Sequence, residues 1–187
     1  MRKKLKYKRL TLQNAGEITS LPVFDQRGSF TRIFCQNDLY DLNKNKNIQQ
    51  INISFSKKAG TIRGLHYQKP PKAEEKIVVC ISGKVFDVIV DIRRESDTYK
   101  KFYTVILDST KMNMVYIPKG FAHGFQTLVD KCKILYLHTE FHSTKHEHGF
   151  HYESPSLSIP WPKKITNLSK RDERLRCFDP ENDGIIL

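Results

Sequence analysis

The chain has 187 residues, of which 39% are hydrophobic and 11% aromatic, so we expect one globular domain with a substantial core. This composition excludes a disordered chain. The 32 Lys and Arg residues exceed the 20 Asp and Glu residues by 12, which indicates an anionic partner such as nucleic acid, a membrane surface or a phosphorylated small molecule.

The features that bear on cellular location predict a cytoplasmic protein. No apolar run approaches the ~20 residues that a membrane helix needs, so no membrane association is expected. Residues 1–9 carry the charge of a signal peptide, but no apolar segment follows them. The cysteines are scattered and form no Cys-x-x-Cys pair, so we expect reduced thiols at Cys35, Cys80, Cys132 and Cys177.

The first part of the chain, to about residue 43, contains two turn-like points, at 14–16 and 25–28. After the second turn, residues 29–34 alternate polar and apolar side chains, which predicts a half-buried strand. Residues 37–42 predict one short helical turn.

From residue 49 to about 137 the sequence predicts one strand after another. Ser82-Gly83-Lys84 predicts a hairpin turn between two of them. Short strands at even spacing, with few helical periods, indicate an antiparallel sandwich or a small barrel. The predicted strands are 50–55, 61–68, 76–81, 85–92, 102–107, 112–117 and 132–137.

The stretch Thr61-Ile-Arg-Gly-Leu-His-Tyr-Gln68 places an imidazole, a guanidinium and a phenol on one predicted strand. Strand alternation would put Arg63 and Tyr67 on one face and Gly64 and His66 on the other. Gly64 would then leave room beside the imidazole for a ligand to approach the backbone. By itself, a lone strand histidine is more often a hydrogen-bonded core residue.

Five further residues stand out, and three of them have two interpretations each. His123 lies between glycines, which suits a site or a special backbone conformation equally. Asp87 and Asp91 share a strand face with apolar residues, which fits a lined cavity or an edge strand with salt-bridged aspartates. Taken alone, Lys76 reads as a surface lysine and Tyr136 as a buried aromatic.

The segment after residue 137 has a different composition. Histidines at positions 138, 142, 146, 148 and 151 suggest a metal site, but no strand fixes them and no carboxylate is convincingly placed as a third ligand. We therefore expect no metal. Pro160 and Pro162 exclude a central strand, and residues 168–175 predict a short helix capped by Ser169.

Several motifs occur together in a fixed order along the chain: Arg27-Gly28-x-Phe30, Gln50-x-Asn52, Arg63 to Gln68, Phe86-Asp87-Val88, Pro118-x-Gly120 to Phe125, Ile159-x-Trp161-Pro162 and Leu168-Ser169-x-x-Asp172. From about residue 16 to 175 the sequence resembles the dTDP-4-dehydrorhamnose 3,5-epimerases of the cupin superfamily. The resemblance implies an all-β cupin jelly-roll barrel with short peripheral helices. It implies a single domain spanning 1–187, with a core at about 16–162 and a tail, 163–187, that supplies Asp172.

The resemblance also implies a homodimer that needs no cofactor, binds no nucleic acid and holds a nucleotide-linked 4-keto-6-deoxy sugar, most simply a dTDP sugar. His66 would be the base that removes the proton next to the C4 ketone, in a dyad with Asp172. Tyr136 would return a proton to the opposite face, and Lys76 would stabilise the enolate oxygen. The implied substrate-binding positions are Arg63, His123, Asp87, Arg27, Phe30, Arg32, Gln50, Asn52, His142, Glu147 and Arg171.

The chemistry supports these roles independently of the resemblance. A proton α to a ketone is acidic because its carbanion spreads onto oxygen, and a histidine is a base of suitable strength. The enolate needs a fixed positive charge or donor, which Lys76 or His123 can supply. A diphosphate needs guanidinium forks, which Arg63 and Arg27 can supply.

Three positions depart from the family's pattern. Arg32 replaces a glutamate, His142 replaces a tyrosine that stacks on the thymine ring, and Arg171 replaces a lysine. The first two lie at nucleobase-contacting positions and suggest a guanine or cytosine carrier, an unusual deoxysugar, or simple drift. Other readings remain: a 3-only epimerase or ketoisomerase of the same fold, a metal-dependent cupin, and a non-catalytic nucleotide- or RNA-binding module.

Overall fold

Antiparallel β-strands dominate the regular secondary structure of the computed structural model, which describes residues 4–43 and 47–187. The first three residues of the basic N-terminal arm and the lysine-bearing segment 44–46 lie outside the described residues. The helices are α1 (Tyr40–Asn43) and α2 (Lys170–Glu173). The strands are β1 (Leu5–Arg9), β2 (Gly16–Ser20), β3 (Val23–Asp25), β4 (Gly28–Phe30), β5 (Gln50–Ser56), β6 (Ile62–Gln68), β7 (Lys76–Ser82), β8 (Lys84–Asp91), β9 (Phe102–Asp108), β10 (Asn113–Ile117), β11 (Phe121–Thr127), β12 (Cys132–His138) and β13 (Glu147–Gly149).

Two sheets face each other across the main core. One has the strand order β1-β2-β10-β7-β12-β5 and the other β13-β6-β11-β8-β9, while β3 and β4 form a separate hairpin. Val78 and Ile134 of the first sheet share a buried cluster with Ile89 and Phe125 of the second. This architecture confirms the predicted all-β jelly roll with short peripheral helices.

Each sheet is also covered on its outer face, which explains the continuous apolar runs in β7 and β8. The outer face of β8 packs against Phe150 and Phe178 from the C-terminal part of the chain. The outer face of β7 packs against Leu39, which precedes α1. Strands buried on both faces need apolar residues at successive positions, so they do not alternate as half-buried strands do.

The hairpin predicted at Ser82-Gly83-Lys84 is wrong. Strand β7 is hydrogen-bonded to β10 on one side and β12 on the other, so it has no free edge for β8. The chain instead crosses at Gly83 to the opposite sheet, where β8 pairs with β11 and β9. Gly83 has φ +85°, and a Cβ atom there would lie 2.6 Å from the sulfur of Cys132. The turn was predicted correctly, but the strands that it joins, β7 and β8, lie in different sheets.

The strand predicted over 29–34 ends early. Only Gly28–Phe30 forms a strand, and the chain then leaves the hairpin so that Ile33 and Phe34 pack against the outer face of the six-stranded sheet. The helical turn predicted over 37–42 is present as α1, shifted toward the C-terminus.

The C-terminal segment is fixed against β6. Thr61 and Asn167 form an isolated parallel bridge, and the Ser169 hydroxyl caps α2 by accepting from the Asp172 backbone N–H at 3.0 Å. The predicted cap is confirmed, although the helix is shorter than 168–175. Asp172 is thereby held in a buried position beside β6.

All four cysteines are free thiols. Within the described ranges, no helix is both long and apolar enough to cross a bilayer.

Candidate active site

A cavity of about 280 Å³ opens between the two sheets. Most of its lining side chains are ionisable, amide or hydroxyl groups, so the cavity offers many polar contacts to a ligand. The polar lining comes from β5 (Gln50, Asn52, Ser54), β6 (Arg63, His66, Gln68), β7 (Lys76), β11 (His123), β12 (Tyr136, His138), β13 (Glu147) and the connecting segments (Glu74, His142).

His66 forms a carboxylate–imidazole pair with Asp172. The distance from His66 Nε2 to Asp172 Oδ1 is 2.7 Å. Burial raises the pKa of Asp172, but the hydrogen bond and charge of His66 outweigh burial, so the pKa lies below its ordinary value. An ionised carboxylate can only accept, so Nε2 carries the proton and Nδ1 keeps the free lone pair. Asp172 therefore orients His66 as a base.

The predicted alternation of faces along β6 is wrong. Both Arg63 and His66 line the cavity, because the pairing with β11 shifts register between His123 and Phe125 and Gly64 has φ +109°. The role expected for Gly64 also needs correction: a Cβ atom there would lie 2.5 Å from the carbonyl oxygen of His123. Gly64 thus permits close approach of β11, and not of a ligand.

His123 forms a second such pair, with Asp87, in the floor of the cavity. Nε2 of His123 lies 2.8 Å from Oδ2 of Asp87, which is fully buried. The other carboxylate oxygen has no hydrogen-bond partner among the described residues. Asp91, on the same strand, binds Arg93 and lies in a network away from the cavity. Strand β8 is paired with β11 and β9, so it is not an edge strand, and its two aspartates have different partners.

Arg63 is held at the cavity wall by β5. Its Nη2 donates to the Phe55 carbonyl at 3.0 Å, and its Nε donates to the Ser56 hydroxyl at 3.2 Å. These contacts use part of the guanidinium's five N–H groups and leave others for an anion.

Tyr136 lies on the wall opposite His66, because β12 and β6 belong to different sheets. Its hydroxyl lies 2.9 Å from the hydroxyl of Ser54. Burial raises the pKa of Tyr136 above its ordinary value. The phenol is therefore protonated at neutral pH and suited to donate a proton.

Lys76 belongs to a buried cluster with Glu74 and His138. Lys76 Nζ lies 2.9 Å from Glu74 Oε1, and His138 Nδ1 lies 2.7 Å from Glu74 Oε2. Burial raises the pKa of Glu74, but Lys76 and His138 together lower it to about 2. Lys76 is only 7% exposed, so the interpretation of Lys76 as a surface lysine is wrong.

We expect Glu74 to make stability depend on acid pH. The pKa of Glu74 falls from an ordinary 4.5 to about 2 on folding. Its contribution to the free energy of unfolding is therefore complete above pH 4.5 and is lost as the pH falls toward 2. The full contribution is of the order of 3 kcal/mol. Urea unfolding at several pH values should show a shallower acid decline for Glu74→Gln than for the wild type. Equal declines would contradict this expectation.

The cavity mouth carries a charged network. Glu147 Oε2 contacts His142 Nε2 at 3.0 Å and Arg171 Nη1 at 2.8 Å. Burial raises the pKa of Glu147, but Arg171 and His142 lower it below its ordinary value. The His142 backbone N–H donates to Gln50 Oε1 at 3.0 Å, which ties the mouth to β5. Half-exposed His142 and Arg171 are thus available to a ligand.

Three predicted binding residues do not line the cavity of their own chain. Arg27 pairs with Asp25 within the exposed β3–β4 hairpin, and Phe30 is 74% exposed. Arg32 forms an ion pair with Asp38 at 3.3 Å. The remaining predicted residues line the cavity or contact a lining residue.

Several cavity residues were missed by the sequence reasoning, and two of them show how strand alternation could have found such residues. Ser54 shares a face of β5 with Gln50 and Asn52, and His138 shares a face of β12 with Tyr136. A third, Glu74, precedes β7 and follows no periodic pattern. No local signal distinguishes it from Glu75.

The histidine-rich segment does not converge on one point. His138 binds Glu74, His142 binds Glu147 and His146 binds Ser143, while His148 packs on Tyr67. Among residues 4–43 and 47–187, no three His, Cys, Asp or Glu side chains are arranged to hold a metal ion.

The arrangement suits the transfer of protons to and from a carbon beside a carbonyl group. A carboxylate-oriented imidazole lies on one wall, a protonated phenol lies on the other, and a buried ammonium lies in the same cavity. Removal of a proton from one face and its return to the other inverts a carbon.

Comparison with known proteins gives a consistent result. Residues 9–179 match the family model described as dTDP-4-dehydrorhamnose 3,5-epimerase. A curated protein of that name from Mycobacterium tuberculosis is 34% identical over 186 residues, covering 94% of this chain and 88% of the relative.

Two solved structures of the same kind superpose closely. The dTDP-4-dehydrorhamnose 3,5-epimerase from Bacillus anthracis, with TDP and PPi bound, has a TM-score of 0.90 and 37% identity, covering 93% of this chain and 99% of that one. The dTDP-6-deoxy-D-glucose-3,5-epimerase from Legionella pneumophila, in complex with dTDP-4-keto-L-rhamnose, has a TM-score of 0.89 and 31% identity, covering 98% and 99%.

Proposed function

Because the chain belongs to the dTDP-4-dehydrorhamnose 3,5-epimerase family, and is therefore a carbohydrate epimerase, we propose that it inverts C3 and C5 of dTDP-4-dehydro-6-deoxyglucose through His66 and Tyr136. The observation that carries this proposal is the position of the two residues on opposite sheets around one cavity. An inverting proton transfer requires a base on one face of the sugar and an acid on the other.

The reaction begins with His66. Its Nδ1 removes the proton from a carbon next to the C4 ketone, and the electron pair moves onto the ketone oxygen as an enolate. The Asp172 carboxylate, 2.7 Å from Nε2, stabilises the imidazolium that forms. Lys76 and the imidazole of His123 are the groups that can stabilise the enolate oxygen.

Tyr136 completes the inversion. Its hydroxyl delivers a proton to the opposite face of the enolate carbon, and the ketone re-forms. The raised pKa of Tyr136 keeps this proton in place until a carbanion, which is a stronger base, is present. Repetition at the second carbon gives the 3,5-epimer.

The nucleotide part of the substrate lies at the cavity mouth in this proposal. Arg63 and Arg171 supply guanidinium groups for the diphosphate, and Gln50, Asn52 and His142 are the nearest groups for the sugar and base. The Bacillus anthracis relative holds TDP, which supports a dTDP carrier. Arg32 is engaged by Asp38, so its replacement of a glutamate does not by itself require another base.

The wild-type enzyme should incorporate solvent deuterium at both C3 and C5 of dTDP-4-dehydro-6-deoxyglucose, because each inversion replaces a carbon-bound proton. NMR and mass spectrometry of the product in D₂O measure this. Exchange at C3 alone would indicate a 3-epimerase or ketoisomerase. Exchange only with the GDP- or CDP-linked sugar would overturn the dTDP assignment, and tight dTDP binding without exchange would indicate a binding module.

We also propose that the enzyme is a homodimer in which each β3–β4 hairpin serves the partner's cavity. Strand β5 lies at an edge of its sheet and exposes Ile51 and Ile53 by 60% and 61%. Exposed apolar side chains on an edge strand favour association. Arg27 and Phe30 lie outside their own cavity, so they can contact a substrate only from another subunit.

Ile51→Lys is expected to weaken the dimer, because a charged side chain would be buried at the β5 surface. Sedimentation velocity should show a dimer for the wild type and a larger monomer fraction for the variant. If Arg27 and Phe30 act across the interface, dTDP affinity should fall with dimer content. Ile106→Lys, on exposed β9 of the other sheet, is the control. A monomeric wild type would contradict the proposal.

We propose that the enzyme is cytoplasmic, and its free thiols support this compartment.

A further inference from the structure

Apart from the His142–Glu147 pair at its mouth, three carboxylate–imidazole pairs surround the cavity, and the mechanism above uses only two of them. The third pair, Glu74 and His138, lies on the same side as Tyr136 and directly contacts Lys76. Both side chains are largely buried, with exposures of 9% for Glu74 and 13% for His138. Burying an ion pair is costly unless its groups are fully hydrogen-bonded, so this cluster requires a functional or structural reason.

We infer that Glu74 and His138 are positioning residues of the epimerase: Glu74 fixes the ammonium group of Lys76 in the cavity, and His138 fixes the carboxylate of Glu74. The inference deepens the proposed function and rests on it, because it assigns Lys76 an enolate to stabilise.

The geometry explains why Lys76 needs such a support. A lysine side chain is long and has about 2 kcal/mol of rotamer entropy, so a free ammonium would occupy many positions. Lys76 lies at the first position of β7, and its Nζ is held at 2.9 Å by Glu74 Oε1. An ammonium has three N–H donors, and Glu74 Oε1 accepts one of them. The others remain for an oxygen in the cavity.

His138 completes the support by occupying the second oxygen of Glu74. With Oε1 on Lys76 and Oε2 on His138, the carboxylate has one orientation that satisfies both donors. The His138 proton also draws negative charge toward Oε2. Less charge then remains on Oε1 to cancel the ammonium, which keeps Lys76 effective toward an enolate.

Glu74→Gln tests the first part of the inference. The amide retains the size of the side chain but removes its charge, so we expect kcat to fall about 10- to 100-fold because the ammonium is misplaced. KM should change much less. A fall in dTDP-sugar affinity with unchanged kcat would overturn the inference, since Glu74 would then act in binding.

A double-mutant cycle separates positioning from general structural support. Lys76→Met removes the ammonium. In that background Glu74→Gln should cost little further activity, because no ammonium is left for residue 74 to position. Additive losses would overturn the inference. Glu140→Gln, which breaks the Lys72–Glu140 pair outside the cavity, is the matched control and should leave kcat unchanged.

Two substitutions at His138 test its part. His138→Asn keeps a donor near the position of Nδ1, whereas His138→Phe keeps the aromatic ring that stacks on Tyr136 at 5.9 Å. We expect the phenylalanine variant to lose about tenfold more kcat than the asparagine variant. The reverse order would overturn the inference, because His138 would then act through Tyr136. The two His138 variants also test the inference if Glu74→Gln does not fold.

The proposed function and this inference fail in different ways. If the wild-type enzyme catalyses no exchange at C3 or C5, the proposed function itself is wrong. If the wild type exchanges both positions and Glu74→Gln matches it in kcat, only the inference is wrong.

Discussion

Replacement of His66 by alanine is expected to lower solvent deuterium incorporation at both C3 and C5 by about 10³-fold or more. His66 is the cavity imidazole whose second nitrogen is held by a buried, ionised carboxylate, Asp172. The variant retains the cavity and Lys76 but lacks the base, so carbon–hydrogen cleavage stops at the first step. NMR of the substrate in D₂O measures both positions in one experiment.

His148→Ala provides the matched control for this loss. His148 lies opposite Tyr67 on the strand next to β6 and does not line the cavity. Its removal should change the exchange rate by no more than about twofold. If His66→Ala still exchanges C3 and C5 at the wild-type rate, another group is the base. His123, paired with Asp87, would then be the next candidate.

The strands were predicted from the sequence because their signals are local, whereas the jelly-roll topology was predicted from the family resemblance. Alternating or continuously apolar segments correctly located β5 to β10 and β12. The pairing at Gly83 was not predictable in this way, because a turn residue specifies a local backbone conformation and does not determine which sheet receives the next strand. The faces of β6 were also misjudged, since a register shift against β11 lies outside the sequence of β6 itself.

The site was predicted less completely for a related reason. His66 and His123 came from the ordered motifs, Lys76 and Tyr136 came from the resemblance that those motifs carry, and the fold brings all four together. Asp172 is 106 residues from His66, so only the resemblance connected them, and no spacing rule could have done so. Glu74 was missed because its contacts with Lys76 and His138 form only after β7 and β12 pair.

Tyr136→Phe should separate exchange from inversion, which His66→Ala cannot do. With the phenol removed, His66 still takes the proton from one face, but no acid returns a proton to the other. The imidazolium then gives back either the original proton or deuterium acquired from solvent, with retention of configuration. We expect formation of the 3,5-epimer to fall by about 10²- to 10⁴-fold and deuterium exchange to fall much less.

Tyr103→Phe is the control that shows whether the effect of Tyr136→Phe comes from losing the proton donor. Tyr103→Phe also removes a partly buried hydroxyl contact, at 2.6 Å to Glu17, but Tyr103 lies outside the cavity, so the substitution should leave epimerisation near the wild-type rate. Equal losses of exchange and inversion in Tyr136→Phe would mean that Tyr136 is needed for proton removal. Such a result would assign the opposite-face proton to another donor, and His138, which stacks on Tyr136, is the nearest imidazole on that wall. Exchange with retention would instead establish that the two sheets divide the chemistry, with β6 removing the proton and β12 returning it.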